Sequence, residues 1–230
     1  MLQKIITITF LLGAIVTLLS LSYWQVQRLN WKANIIERLE AEYQKDPTLN
    51  QFTFNDLKQF DTAKQPLLYG SAAGKFIHTK EIFVGPKPLE GSIGYQVITP
   101  FRFTTGGYIL VNRGWVDKVQ KEDLKNEESS RNITISGIFR KTDWNRFTPD
   151  NSPENNIWTK LDIHEIANVQ DINPVAAVML YTETKTSNII IPQNKKWYPR
   201  NKHQQYAIFW FVMALALISV FSVFYWKNKK

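Results

Sequence analysis

The chain has 230 residues, 28 Lys and Arg against 20 Asp and Glu for a net charge of +8, and a mean hydropathy of -0.27. Without cysteine it holds no disulfide framework, thiolate zinc site, iron–sulfur cluster or C-x-x-C redox centre. The averages describe a mildly basic soluble chain, yet they conceal two stretches, Ile5 to Gln27 and Gln204 to Trp226, that carry no charged residue over 23 positions each.

At ~1.5 Å per helical residue such a stretch reaches about 34 Å, enough to cross a hydrocarbon core of roughly 30 Å. The first span is predicted over 5–23, behind a cytoplasmic end at 1–4 that contains Lys4. Ser20-Leu21-Ser22 has the small-x-small form of a signal cleavage site. The long apolar run and the unbroken helical pattern favour an uncleaved anchor. Trp24, Arg28, Trp31 and Ile35 recur at helical spacing, so the helix is predicted to run on toward Tyr43 and to stop before Asp46-Pro47.

The central region, 24–203, reads as β-rich with this N-terminal helical extension. Short runs rich in Ile, Val, Tyr and Phe at 67–77, 81–84, 95–103, 108–116, 133–139 and 175–181 are predicted strands. Gly85-Pro86, Gly106-Gly107 and Asn173-Pro174 read as turns between them, Gly106-Gly107 as a hairpin. The charged segment 118–131 reads as a solvated loop with a helical turn, and Asp162 to Glu165 as a capping box opening a short helix. The segment 187–199 reads as a linker.

The second span, 204–226, ends in Tyr225-Trp226-Lys227, an aromatic pair followed by a cation at a bilayer exit, so the tail at 227–230 is placed in the cytoplasm. Two spans then put the central domain outside the cytoplasm, in the periplasm or the mitochondrial intermembrane space. The expected fold class is a membrane protein in which two terminal transmembrane helices enclose a mainly β extracytoplasmic domain, an antiparallel barrel or sandwich with minor helix. Lys4, Lys227, Lys229 and Lys230 flank the outer ends of the spans and all acids lie between, leaving the middle at +4. That charge, with no basic run interleaved with aromatics, speaks against nucleic-acid binding. Lys195, Lys196, Arg200 and Lys202 crowd the outer mouth of the second span, against the positive-inside pattern, and need another role.

No G-x-S-x-G, H-E-x-x-H, G-x-G-x-x-G or P-loop motif is present. Of the three histidines, His78 reads as an exposed turn residue and His164 as surface. His203 differs because it immediately precedes the second span. On a helix it shares a face with Tyr206, Ala207, Trp210 and Ala214, with Arg200 and the lysines just above. An imidazole, an aromatic wall, two small residues that leave space, and cations at the water boundary suit an amphiphilic porphyrin. The same residues suit an ordinary interfacial belt, and spacing alone favours the belt. Arg28, with Trp24 and Trp31 at minus four and plus three and Gln25 beside it, reads either as a snorkelling cation or as a contact to an anionic ligand or a partner helix. In Asn112-Arg113-Gly114, glycine permits a strand end or bulge. Arg113 reads equally as a cation presented to a partner or as one paired inside the β domain.

Several segments together resemble the surfeit locus family of cytochrome c oxidase assembly proteins. They are Trp24 to Leu29, Gly94 to Phe101, Leu110 to Val116, Asn155-Asn156-Ile157-Trp158 with Leu161-Asp162, and Arg200 to Ala207 with Trp210, in the family's order. Thr159-Lys160 departs from the aromatic and basic residues usual before the Leu-Asp pair. The resemblance implies an assembly factor rather than an enzyme, one that assists maturation of oxidase subunit I and, in bacterial members, binds heme a. It implies His203 as the ligand of the heme iron; around that ligand Tyr206 and Trp210 are expected to line the macrocycle and Arg200 and Arg28 to be the propionate candidates. Trp24, Gln25 and Arg113 are the expected partner contacts. The expected partners are subunit I, the heme a synthase and membrane lipid, at a bacterial inner membrane or, for an organellar protein, the mitochondrial inner membrane.

Overall fold

The computed structural model describes residues 2–62, 65–126, 131–142, 144–145, 147–155, 158–192, 196 and 198–227. The chain divides into two compact units, one of residues 1–40 with 197–230 and one of residues 41–196. Residues 24–40 and 197–203, assigned above to the central domain, belong with the helices. The predicted residues Asn156, Ile157, Lys195, Lys229 and Lys230 lie outside the described ones.

The helical unit is built from α1 (Leu2–Tyr43) and α4 (His203–Lys227). Both are long and apolar enough to cross a membrane. The shielded positions of α4 are His203, Ala207, Trp210, Ala214, Leu217 and Phe221. That is the alternating four and three spacing of a helix–helix seam. On α1 the matching row is Leu11, Ala14, Leu18, Leu21, Gln25, Leu29 and Lys32. Ala207 and Ala214 are 7% and 0% exposed. Between membrane helices there is no hydrophobic gain from leaving lipid, so small residues that let backbones approach carry the packing. The two alanines, expected to leave space for a ligand, are instead consumed by this seam. Ser22 Oγ donates to the Ala207 carbonyl at 3.0 Å across it.

The second unit is one six-stranded sheet with the order β1-β5-β6-β4-β3-β2. Its strands are β1 (Leu67–Phe76), β2 (Ile82–Leu89), β3 (Ser92–Phe103), β4 (Tyr108–Asp117), β5 (Ile133–Arg140) and β6 (Val175–Thr182). β1 also pairs with β3 through Gly74–Phe76. The strands therefore do not form a two-sheet sandwich, and the sheet is not wholly antiparallel, because β4 and β6 run parallel. A parallel neighbour needs a long crossover, here supplied by the chain through β5 and α3 (Ile163–Val169).

Alternation in β4 sends Ile109 and Val111 into a core with Phe76, Phe101, Phe139 and Leu180, topped by Leu57 of α2 (Phe54–Lys58). Leu110 faces the other way, into a core with Ile98, Trp158 and the α3 residues Ile163 and Ile166. With both faces covered, every residue from Ile109 to Val116 is buried.

Two local expectations are corrected. Gly85-Pro86 is not a turn, because β2 runs on through it with a register shift between Val84 and Lys87, and the reversal comes at Glu90-Gly91. Asp162 caps α3, accepting from the His164 and Glu165 amides, but the Glu165 carboxylate accepts from Asn151 Nδ2 rather than returning the bond. A reciprocal capping box forms instead at Thr53 and Asp56. Gly106-Gly107 makes the expected β3–β4 hairpin, at φ 90° and 78°.

Candidate functional site

The first candidate site lies in the helical unit, where the α1–α4 seam turns from apolar to polar. Gln25 Oε1 and His203 Nδ1 are 2.6 Å apart, and Gln25 is only 8% exposed. Next along α1, the Leu29 carbonyl accepts from Asn201 Nδ2 at 3.4 Å, and Lys32 Nζ donates to the Arg200 carbonyl at 2.5 Å. With Ser22 these residues step by three, four and three along one face of α1 and clasp the entry to α4 rung by rung. His203 makes the second of the four rungs, held on a rigid helix at the level where the seam becomes polar. Its Nε2 has no hydrogen-bond partner among the described residues. When the imidazole carries its proton on Nδ1, that N–H donates to the Gln25 carbonyl and the lone pair is on Nε2.

The other residues predicted around His203 distribute differently. Tyr206 is 52% exposed on the flank of the seam. Trp210 is half-buried within the seam, its ring edge-on to Phe209 at 5.1 Å. Arg200 is exposed at the mouth of α4. Arg28 is also exposed, on the helical turn between the rungs of Gln25 and Leu29. Its guanidinium lies 5.8 Å from the Trp24 ring and 5.2 Å from the Trp31 ring, the stacking its spacing permits. Trp24 and Trp31 are 47% and 53% exposed, so this ladder faces outward. Lys196 is not free at the mouth of the span, because its ammonium lies 5.2 Å over the Tyr43 ring.

Gln25, expected to meet a partner, is corrected to an internal partner of His203. Arg113 is corrected likewise. The register of β3 and β4 passes from Val97 opposite Gly114 to Ile98 opposite Asn112, so Arg113 is the extra residue of a β-bulge. Gly114 supplies the φ of +130° that the bulge needs, and Asn112 Oδ1 accepts from its amide at 3.0 Å. The bulge aims Arg113 inward, where it is 1% exposed. Its Nη1 donates to Glu81 Oε2 at 2.8 Å and its Nε to Thr186 Oγ1 at 3.0 Å, with the charge 5.2 Å from the Phe76 ring.

Glu81 also accepts from Thr99 Oγ1 at 2.5 Å. Burial pushes its carboxyl up, but His78, the Arg113 charge and the hydrogen bonds from Thr99 and Arg113 more than offset that, holding it below the ordinary glutamate range. His78 Nδ1 stands 3.7 Å from Glu81 Oε2, an electrostatic contact longer than a hydrogen bond. His78 is therefore a largely shielded member of this cluster and not an exposed turn residue, whereas His164 is exposed as expected.

Sequence reasoning missed the clasp and the cluster for the same reason. Glu81, Thr99 and Thr186 carry no motif, and neither do Ser22 and Lys32. The one available signal was the spacing of Ser22, Gln25 and Lys32, three and then seven residues apart on the face that carries the apolar seam. The segment around Trp158 is structural: Trp158 is 1% exposed and its carbonyl accepts from the Gly85 amide at 2.9 Å. The departing residues Thr159 and Lys160 both donate their amides to Asn151 Oδ1.

Comparison with known proteins agrees with this organisation. The model of the SURF1 family matches residues 12–215. A SURF1-like protein of Dictyostelium discoideum is 29% identical, over 87% of this chain and 89% of that protein. Surfeit locus protein 1 of Homo sapiens is 30% identical, over 87% of this chain and 71% of that protein. A SURF1-like protein of Rickettsia felis is 28% identical, over 90% and 91%. The match runs from the first apolar helix into the second and takes in the whole β unit, so the chain belongs to the SURF1 family.

Proposed function

We propose that this protein is a membrane-bound assembly factor for cytochrome c oxidase that assists maturation of subunit I by binding heme a through His203 and passing it on. The observation that carries the reading is the state of His203: its Nδ1 is engaged by Gln25, while its Nε2 has no partner among the described residues. Metal-binding imidazoles commonly have this form, one nitrogen held by an acceptor and the other left to the metal. The donor set fits a heme, with one imidazole at the membrane boundary, the exposed Tyr206 ring beside it, and Arg28 and Arg200 exposed nearby to pair with propionates. Because Ala207 and Ala214 are buried in the seam, the macrocycle would lie along the Tyr206 flank, with Trp210 shaping the seam behind it. Bound heme a would supply the redox-active iron that the oxidase needs, and the protein's own part is to hold, orient and release it. A carrier must bind in moderation, since a ligand held too tightly cannot be transferred.

The test is purification of wild type and His203→Ala from a host that makes heme a. Wild type should carry heme with a Soret band that the variant loses or shifts, and equal heme with identical bands would sink the ligand assignment. A second reading, a structural chaperone that steadies an unfinished subunit without heme, is favoured by the way the Gln25–His203 pair also closes the helix seam. Heme-free wild-type protein that still supports oxidase assembly would establish it. In either reading the β unit faces the periplasm or intermembrane space and contacts subunit I; in the first, the heme a synthase is the supplier. Alkaline phosphatase fused after Asn145 should then be active.

A further inference from the structure

We infer that Gln25 is a positioning residue for His203, which selects the imidazole tautomer able to bind metal; the inference rests on the heme reading above. A neutral imidazole presents its lone pair from either nitrogen, and only an acceptor at Nδ1 commits the lone pair to Nε2. Gln25 Oε1, 2.6 Å from Nδ1, is that acceptor. At 8% exposure it is shielded from water that would otherwise compete for the bond. The glutamine is itself held, one turn from Ser22, which donates to the Ala207 carbonyl, and one turn from Leu29, which accepts from Asn201. The acceptor and the ligand therefore form one rung of the clasp, between the rungs of Ser22 and Leu29, and neither is free to turn away.

A merely structural role for the pair would be indifferent to which nitrogen carries the proton. A positioning role is not, and it sets ligand basicity as well as direction. An amide acceptor polarises the Nδ1–H bond moderately, a carboxylate more, and a hydrocarbon not at all. Ring basicity at Nε2 and the preference of the iron for its ferric state should follow that order.

The experiment uses the full chain in detergent, in wild type and in Gln25→Leu, Gln25→Glu and His203→Ala forms. Nitrogen-15 spectra of histidine-labelled, heme-free protein report the tautomer directly. With three histidines in the chain, loss of one signal in His203→Ala makes the assignment. Wild type should show the Nδ1–H form of His203, and Gln25→Leu should lose it. After heme loading, Gln25→Leu should retain heme on the order of 10-fold more weakly. Gln25→Glu should keep the heme with a lower midpoint potential. An Nε2–H tautomer in wild type overturns the inference. So do leucine and glutamate variants with the wild-type tautomer and potential while His203→Ala loses the heme band, an outcome that leaves His203 ligation standing. If His203→Ala carries as much heme as wild type, the ligand reading fails, and the positioning role with it. The tautomer measurement on wild type needs no substitution, so misfolding of a variant does not blunt the test.

Discussion

Arg113 Nη1 lies 2.8 Å from Glu81 Oε2, and the two side chains are 1% and 7% exposed. A β-bulge in β4 makes this meeting possible, because the extra residue it inserts is Arg113 itself. The pair spans β4 and the start of β2 and is tied by Thr186 to the chain beyond β6. It therefore braces three parts of the β unit at once.

Removing one member of a buried pair leaves the other charged and dry. Arg113→Ala should destabilise the β unit by ~3–5 kcal/mol. Arg113→Lys should recover only part of that, because an ammonium cannot reach Glu81 and Thr186 with the planar fork of a guanidinium. Thermal unfolding of the full chain followed by circular dichroism measures both. A melting temperature within a degree of wild type for Arg113→Ala would refute the bracing role.

Acid should weaken the same region. Glu81 is held below its ordinary value of 4.5 in the folded protein. Its contribution to stability is therefore fully present above about pH 4.5 and is lost as the pH falls through the lower, folded value. Glu81→Gln should be less stable at neutral pH and should flatten the acid limb of the stability curve. Denaturant midpoints collected from pH 7 down to pH 3 decide this, and an unchanged acid limb would count against it.

Alkali tests Tyr69 with the opposite sign. Burial, the hydrogen bond its hydroxyl donates to Glu183 Oε2 at 2.8 Å, and the charges of Glu183 and Asp46 push the phenol up to about 12. For an acid group raised in the fold, the stabilisation is complete below the ordinary value of 10 and disappears as the pH rises toward 12. Absorbance at the tyrosinate band should show one phenol ionising late, and Tyr69→Phe should remove that late step.

Gly114→Ala should break the bulge. A β-carbon there would stand 2.2 Å from the Ile191 carbonyl oxygen, and the φ of +130° is costly for any other residue. The backbone strain alone is about 1–3 kcal/mol. Trp115 and Ile191 exchange both amide bonds across this point, at 2.9 and 2.8 Å. Hydrogen exchange at those two amides should accelerate first, ahead of β1 and β5. Equal protection in variant and wild type would show that the chain can move aside.

Elements were legible where a local pattern carried them. All six strands were marked by β-branched and aromatic runs, and the Gly106-Gly107 hairpin by residues that tolerate a positive φ. The Gly85-Pro86 misreading shows the limit: the same dipeptide that signals a turn also accommodates a bulge within a long strand, and cross-strand pairing decides between them. His203 was identified by its place at the mouth of a span, and the partner of its ring was not. Gln25 is expected from sequence to meet a partner because a polar residue at the end of a span has the same local pattern whichever side of the helix it occupies.

By itself the sequence determined that two helices with uncharged apolar stretches bracket a β-rich middle, and it ordered the motifs of the family along the chain. Solvation and backbone preference act over a few neighbouring residues, so length, hydropathy and alternation report them directly. Only the tertiary structure decided that Ala207 and Ala214 serve a helix seam, that β4 lies parallel to β6, that Arg113 turns inward to Glu81, and that Gln25 holds His203. Each of these joins residues far apart in the chain. A buried polar side chain with its partner has the same local sequence signature as an exposed one, and the difference lies in what packing brings within 3 Å of it.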